Sequence, residues 1–247
     1  MNHQDEQSET TTSSRSYGGL SSEQRRQIRR ERLIEAGLEV FGRRGLSQST
    51  MRDICTRARL SDRYFYESFS NVNDVFEAVY VHLRDELVQR LHQAMVGHVP
   101  DQVSVAQAGL HAFFSFVKED PRRARIMLID VLGLRYSHLG EGDQGAGVYQ
   151  VQPYVSLFGS FVRAMYPSVD PADVDVELIL QTMIGMTVQS AAAWADKGFD
   201  KSVDDIVRHN IFAWEGLDAW MKRVIARRGR AQGGLMALAA ANGRWPA

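Results

Sequence analysis

Thr50-Met51-Arg52-Asp53-Ile54-Cys55-Thr56-Arg57-Ala58-Arg59-Leu60-Ser61-Asp62-Arg63-Tyr64-Phe65-Tyr66-Glu67-Ser68-Phe69, residues 50–69, decides the fold. Thr50 and Asp53 have the spacing of a capping box, with Asp in place of the usual Glu. A short helix to about Arg57 is expected, with Met51, Ile54 and Cys55 facing inward. Ala58-Arg59-Leu60 is a three-residue break. Ser61 then caps a second short helix ending near Phe69. Neither helix is long enough to stand alone, so neighbours must hold both.

Those neighbours lie on either side. Upstream, Leu33, Ile34, Gly37, Leu38 and Phe41 recur at helical spacing, widened by Ala36 and Val40. The helix is expected to start near Ser21 or Ser22, with Ser22 as N-cap, and to stop at Gly45 in a left-handed conformation. Downstream, Asn71 caps a longer helix whose apolar positions Val75, Phe76, Val79, Tyr80 and Leu83 carry it into the nineties. Two short helices joined by a tight turn and backed by a long one form a helix-turn-helix, the unit that lays its second helix in a DNA major groove.

At 100° per residue, Phe65 and Phe69 share the core side, with Ser61 close to it. Arg63, Glu67 and Ser70 point away, flanked by Tyr64 and Tyr66. Arg63 and Tyr64 are therefore the candidates for base edges, since an arginine there can hold guanine O6 and N7. Thr50 and Arg52 are placed for phosphates near free helix N–H groups. Glu67 accepts from a cytosine amino group, or it orients Arg63 four residues earlier.

Residues 29–76 resemble the DNA-binding domain of the tetracycline-repressor-like (TetR) family. Arg30-Glu31-Arg32-Leu33-Ile34-Glu35-Ala36-Gly37-Leu38-Glu39-Val40-Phe41 is similar to its first helix, and Gly45 to its stop. Ser49-Thr50-Met51-Arg52-Asp53-Ile54-Cys55 resembles its second helix, with Cys55 for a usual alanine. Leu60-Ser61, Phe65-Tyr66 and Phe69 resemble its recognition helix. The resemblance implies that Tyr66 touches the DNA backbone. It also implies a dimer that reads a palindromic operator, a C-terminal ligand-binding and dimerisation domain, and control of transcription, more often by repression. Two positions depart from the pattern. Arg59 replaces a turn glycine, and Val72 replaces a phosphate-binding lysine. Arg25, Arg26, Arg29, Arg30 and Arg32, at i,i+4 spacing on the first helix, are candidates to replace that lysine's contact, or they form a solvated face balanced by Glu23, Glu31 and Glu35.

Charge supports this placement. Residues 15–69 hold twelve arginines and seven carboxylates, a balance of +5 within a chain whose formal net charge is -1. A basic end suits a polyanion and an acidic remainder does not. A single cysteine, Cys55, excludes an internal disulfide and a multi-thiolate zinc site. The seven histidines show neither HExxH nor paired Glu-x-x-His spacing, so no metal or cofactor is expected. An enzyme is the remote alternative, and an activator or a non-specific DNA-coating protein of the same fold the nearer ones. With no secretory pattern in Met1–Gly19 and no apolar run long enough to span a bilayer, no membrane association and a cytoplasmic location are expected.

The remaining chain reads as helices over 102–118, 121–135, 150–166, 171–196 and 201–227, with a Gly-rich loop over 140–147. The expectation is an all-α protein: a disordered arm (1–20), a three-helix helix-turn-helix DNA-binding domain (21–70), a larger helical ligand-binding and dimerisation domain (71–228), and a loose tail (229–247). Phe113, Phe116, Met127, Phe158, Phe161, Met165, Met183, Met186 and Gln189 are the pocket candidates for a small apolar or aromatic effector. Core packing is the competing reading of each. Helix 201–227 is apolar on two sides: Ile211, Trp214, Leu217 and Met221 on one, Phe212, Ala213, Ala219 and Trp220 on the other. Together with Met186, Ala192 and the small residues near them, the first set is the expected dimer interface.

Overall fold

A computed structural model describes residues 21–131 and 152–242, with side chains to Arg230. The expected N-terminal arm, the 140–147 loop and the end of helix 121–135 lie outside these residues. Among the described residues the chain is helical with no strand, so the all-α expectation holds. None of its helices is long and apolar enough to cross a membrane.

Helix α1 (Ser22–Arg44) starts one residue earlier than expected. Ser21 is the N-cap, because its hydroxyl accepts from Gln24 N–H while the Gln24 side chain accepts from Ser21 N–H, a complete capping box. The helix ends at Gly45, whose φ of 78° is positive but whose ψ of 163° is extended rather than left-handed. A 3-10 turn (Leu46–Gln48) leads to α2 (Met51–Ala58) and α3 (Asp62–Tyr66). The capping box on α2 is as expected: the Thr50 hydroxyl accepts from Asp53 N–H at 3.2 Å and donates to the Asp53 carboxylate at 2.6 Å. Helix α4 (Val72–Val96) is capped by Asn71 and runs from the DNA-binding unit into the larger half.

Arg59 sits at the α2–α3 turn with φ 54° and ψ 46°, a left-handed conformation. An L-residue with a Cβ is strained there and glycine is not. Replacing it by glycine relieves about 1–2 kcal/mol of strain and costs about 0.4–1 kcal/mol through the freer unfolded chain. Arg59→Gly should therefore raise stability by about 0.5–1 kcal/mol, read as a higher urea midpoint at unchanged slope. A lower midpoint would mean that the arginine makes a compensating contact.

Leu33, Phe41, Ile54, Phe65, Val75 and Phe76 are buried together between α1, α2, α3 and α4. Phe41 and Phe76 meet edge to face at 5.3 Å. Gly37 is what lets α1 and α4 approach, since a Cβ there would lie 2.9 Å from Val75 Cγ1.

The larger half comprises α5 (Gln102–Glu119), α6 (Pro121–Ala124 continuing as a π-helix over Arg125–Asp130), α7 (Gln152–Met165), α8 (Val176–Asp196) and α9 (Val203–Asn242). Two expectations are corrected. Helix α8 begins at Val176, not 171, because Asp170 accepts from Ala172 N–H to form a turn and Asp175 caps the helix through Leu178 N–H. The backbone is helical to Asn242, so the loose tail expected from 229 is helical over most of its length. Successive alanines after Gly233-Gly234 are strong helix formers and outweigh the glycines.

Candidate DNA interface and candidate ligand cavity

The five-residue helix α3 is held from below by Phe65 and Phe69, both buried, and from above by arginines of α1. So short a helix leaves its last carbonyls without helical partners. Arg26 supplies two donors to the Glu67 carbonyl, at 3.1 and 2.8 Å. Arg29 pairs with the Glu67 carboxylate at 2.9 Å and lays its guanidinium 4.5 Å from the Tyr64 ring centre. Arg32 donates to the Ala58 carbonyl at the end of α2, at 2.8 Å, and Arg30 lies 5.1 Å over the Phe69 ring.

Arg26 and Arg29, expected on the DNA side, both reach Glu67 at the end of α3. There they help to position the helix. Arg25 is exposed on the same helix. Glu67 holds Arg29 and stands 3.5 Å from Arg63 Nε, which favours its orienting role over direct base contact.

What remains outward on α3 is Arg63, whose side chain is 85% exposed, with Tyr66 63% exposed and Tyr64 exposed at its edge. The Arg63–Glu67 contact is a surface i,i+4 pair, worth about 0.3–0.5 kcal/mol, so Arg63 leaves it at little cost. Ser61 is exposed and precedes α3 without the side-chain cap bond expected of it. Thr50 is exposed but its hydroxyl is engaged with Asp53, and that hydroxyl is the main cause of a lowered Asp53 pKa, with Arg44 adding to it. Arg52 is exposed at the second position of α2. Arg59, exposed in the turn and with no side-chain hydrogen bond or ion pair among the described residues, was not among the sequence candidates. Its place in the turn, three residues before the start of α3, is the signal that could have found it. Cys55 is buried, and burial pushes its thiol above the ordinary range, leaving it inert.

The family model described as "Bacterial regulatory proteins, tetR family" matches residues 33–79, the stretch that holds this geometry. Residues 33–79 are a TetR-family DNA-binding domain. The transcriptional activator FasR of Mycolicibacterium smegmatis is 27% identical over 207 residues, covering 78% of this chain and 84% of FasR. The regulator BetI of Escherichia coli is 32% identical over 104 residues, so the match spans about half, 53%, of BetI and 36% of this chain. Among solved structures, the fatty acid degradation regulator FadR from Bacillus halodurans shares the fold with a TM-score of 0.63 at 16% identity, over 75% of this chain and 94% of its own. FadR from Bacillus subtilis, solved in complex with stearoyl-CoA, has a TM-score of 0.62 at 14% identity, over 74% and 96%.

The larger half of the chain holds a partly open cavity of about 110 Å³. Its walls are apolar stripes of four helices: Leu87, Leu91 and Met95 of α4, Val105, Gly109, Leu110 and Phe113 of α5, Phe158, Phe161 and Met165 of α7, and Ile184, Thr187 and Val188 of α8. Met127 and Leu128 of the π-helix, Val131 just after it and Trp214 of α9 close it, and Tyr80, Gln102 and Tyr154 add polar groups to the lining. Five sequence candidates, Phe113, Met127, Phe158, Phe161 and Met165, are thus in the lining. Four are not. Phe116 lies one turn further along α5, between the guanidiniums of Arg90 and Arg123 at 5.1 and 4.0 Å. Met183, Met186 and Gln189 are displaced by the register of α8, which turns 184, 187 and 188 inward instead.

The interface expectation is also corrected in part. Met221 is buried within its own chain and Trp214 faces the cavity, while Ala192, Ile211 and Leu217 are half-buried against the same cores. Met186 is half-buried. The open apolar side is the other one: Phe212, 64% exposed, and Trp220 on α9, with Leu178, 59% exposed, on α8. Gln181, Thr182, Gly185, Gln189 and Ala193 continue the outward side of α8 without one ionised group.

Proposed function

We propose that the protein is a homodimeric repressor that binds a palindromic operator through α3 and is released by a small apolar or aromatic molecule in the cavity. The observation that carries the DNA reading is Arg63, presented outward on a helix clamped from behind by Arg26, Arg29, Phe65 and Phe69. Rigid presentation matters because a base-reading fork must arrive in register with guanine O6 and N7. Arg52, Arg59, Ser61, Thr50 and Tyr66 surround it as phosphate contacts. Arg63→Ala should weaken specific binding by about 1–3 kcal/mol and relax preference at one base step. Unchanged preference in a binding-site selection would remove Arg63 from this role.

The effector reading rests on the apolar lining, which suits a hydrocarbon chain or ring. The FadR of B. subtilis solved with stearoyl-CoA is a structural neighbour whose ligand has such a chain. Transmission has a physical route. The π-helix that gives Met127 and Leu128 to the cavity region also grips the end of α1: Asp130 accepts from Leu46 N–H at 3.2 Å and Arg125 donates to the Arg44 carbonyl at 3.3 Å. At Gly42 α1 sits so close to α6 that a Cβ would lie 2.4 Å from Arg122 Cβ. A molecule that displaces the π-helix therefore shifts α1 and the α3 it clamps. It biases the protein only by its preference for that arrangement. The likeness to FasR, named an activator, favours activation as the second reading. Transcription in vitro from a promoter carrying the selected operator separates the two by the sign of the effect.

A further inference from the structure

The stretch from Thr50 to Phe69 carries three carboxylates, Asp53, Asp62 and Glu67. Two of them are engaged within the chain. Asp53 accepts from the Thr50 hydroxyl and N–H, and from Arg44 at 3.0 Å. Glu67 pairs with Arg29 at 2.9 Å and stands 3.5 Å from Arg63 Nε. Asp62 is exposed, with no side-chain hydrogen bond or ion pair among the described residues. It immediately precedes Arg63, in a run from Ser61 to Tyr64 that is exposed throughout. Arg52, Arg59 and Arg63 are exposed in the same stretch, yet none of them pairs with it.

A bare negative charge on a surface that meets phosphates disfavours every complex in which it finds no donor. Phosphates offer it none, so the donor has to come from a base. In a helix-turn-helix the residues that open the second helix reach base edges in the major groove. There guanine shows only the acceptors O6 and N7, and thymine an acceptor and a methyl group. Adenine shows its N6 amino group beside the N7 acceptor, while cytosine shows the N4 amino group alone. An ionised carboxylate only accepts, so cytosine is its match. The preference is the reverse of an arginine's for guanine.

We infer that Asp62 is a specificity-determining residue that accepts from a cytosine N4 amino group, in the base pair next to the guanine held by Arg63. The inference rests on the reading of α3 as the helix that reads DNA. Neighbouring Cα atoms lie about 3.8 Å apart, close to the rise of about 3.4 Å between base pairs, so adjacent side chains of one helix suit adjacent pairs. Asp62 also acts by exclusion. Any other base at that position leaves its charge unpaired, which penalises random duplex more than the operator.

The test is selection of bound duplexes by full-length wild type, Asp62→Ala and Asp62→Asn. Wild type should enrich a cytosine beside the guanine that Arg63 reads. Asp62→Ala should lower discrimination at that one position by about 10-fold and bind random duplex more tightly. Asp62→Asn should move the preference from cytosine to adenine, whose N6 and N7 an amide meets with one acceptor and one donor. The Arg63 guanine, kept in all three proteins, is the internal control. No cytosine beside that guanine in wild type, or a position unmoved in both variants, would overturn the assignment and leave α3 as the reading helix. Tighter binding to every duplex with unchanged preferences would make Asp62 a repulsive charge only, and loss of the guanine together with the cytosine would make it structural; either overturns the inference. Enrichment of no sequence by wild type would remove the reading of α3 and this inference with it.

Discussion

Phe65→Ala should destabilise the DNA-binding unit by about 3–5 kcal/mol, a large share of the roughly 5–15 kcal/mol that holds a domain together. The ring is fully buried and touches Tyr66 edge to face at 5.6 Å and Phe69 at 6.1 Å. Helix α3 has only five residues. It cannot persist without this anchor, because an isolated helix that short does not form in water. Specific DNA binding should vanish with it. Urea unfolding measures the loss, and hydrogen exchange locates it: amides of α2 and α3 should lose protection before those of α5 and α8. Tyr66→Ala is the control. That ring is mostly exposed, so its removal should change stability by no more than about 0.5 kcal/mol. Equal loss in both variants would contradict the placement of α3.

Phe212→Glu should break the proposed dimer and leave a folded monomer. The ring stands on the outer side of α9, 64% exposed and outside the buried core, so its replacement should leave the monomer's stability within about 0.5 kcal/mol. In a closely packed four-helix interface of α8 and α9 with their copies, the same glutamate would be buried without a partner. One recognition helix then meets one half-site alone. Losing the linkage between two half-sites should lower operator affinity by at least about 100-fold. Light scattering and a binding titration on the same samples check both parts. A dimer that survives, or a monomer that binds as tightly as wild type, would contradict the account. Charge at Trp214 is the wrong test of the interface, because that side chain faces the cavity.

Local features were legible in the sequence. Thr50 and Asp53 are three residues apart, and their capping box needs only each other, so spacing alone identified it. The cavity stripe of α5 was legible in Phe113, and that of α7 in Phe158, Phe161 and Met165, by helical period. Arg59 stood out as a departure from the turn glycine of the family it resembles, and its φ of 54° is left-handed. Features that depend on distant partners were not legible. Arg26 reaches a carbonyl 41 residues away, and nothing in a run of arginines tells a clamp on Glu67 from a contact to phosphate. Helix α8 is apolar on more than one side, with Leu180, Met183, Ile184 and Thr187 all buried. Its period therefore did not choose between 183, 186 and 189 and the positions 184, 187 and 188 that line the cavity. On α9 two apolar sides were visible, but only packing reveals that Trp214 and Met221 turn inward while Phe212 and Trp220 stay open. The π-helix over Arg125–Asp130 has no sequence signature of its own. Yet it joins the cavity to the end of α1.

The central claim is that two copies of α3, related by twofold symmetry, read DNA through Arg63. Selection of bound duplexes from a random pool by the full-length protein tests it most directly. The account predicts an inverted repeat whose half-sites are centred about 34–36 Å apart, or a wider helical spacing, with a guanine in each half-site that loses its preference in Arg63→Ala. Enrichment of no symmetric sequence, or affinity for random duplex equal to that for the selected one at the same salt, would contradict it.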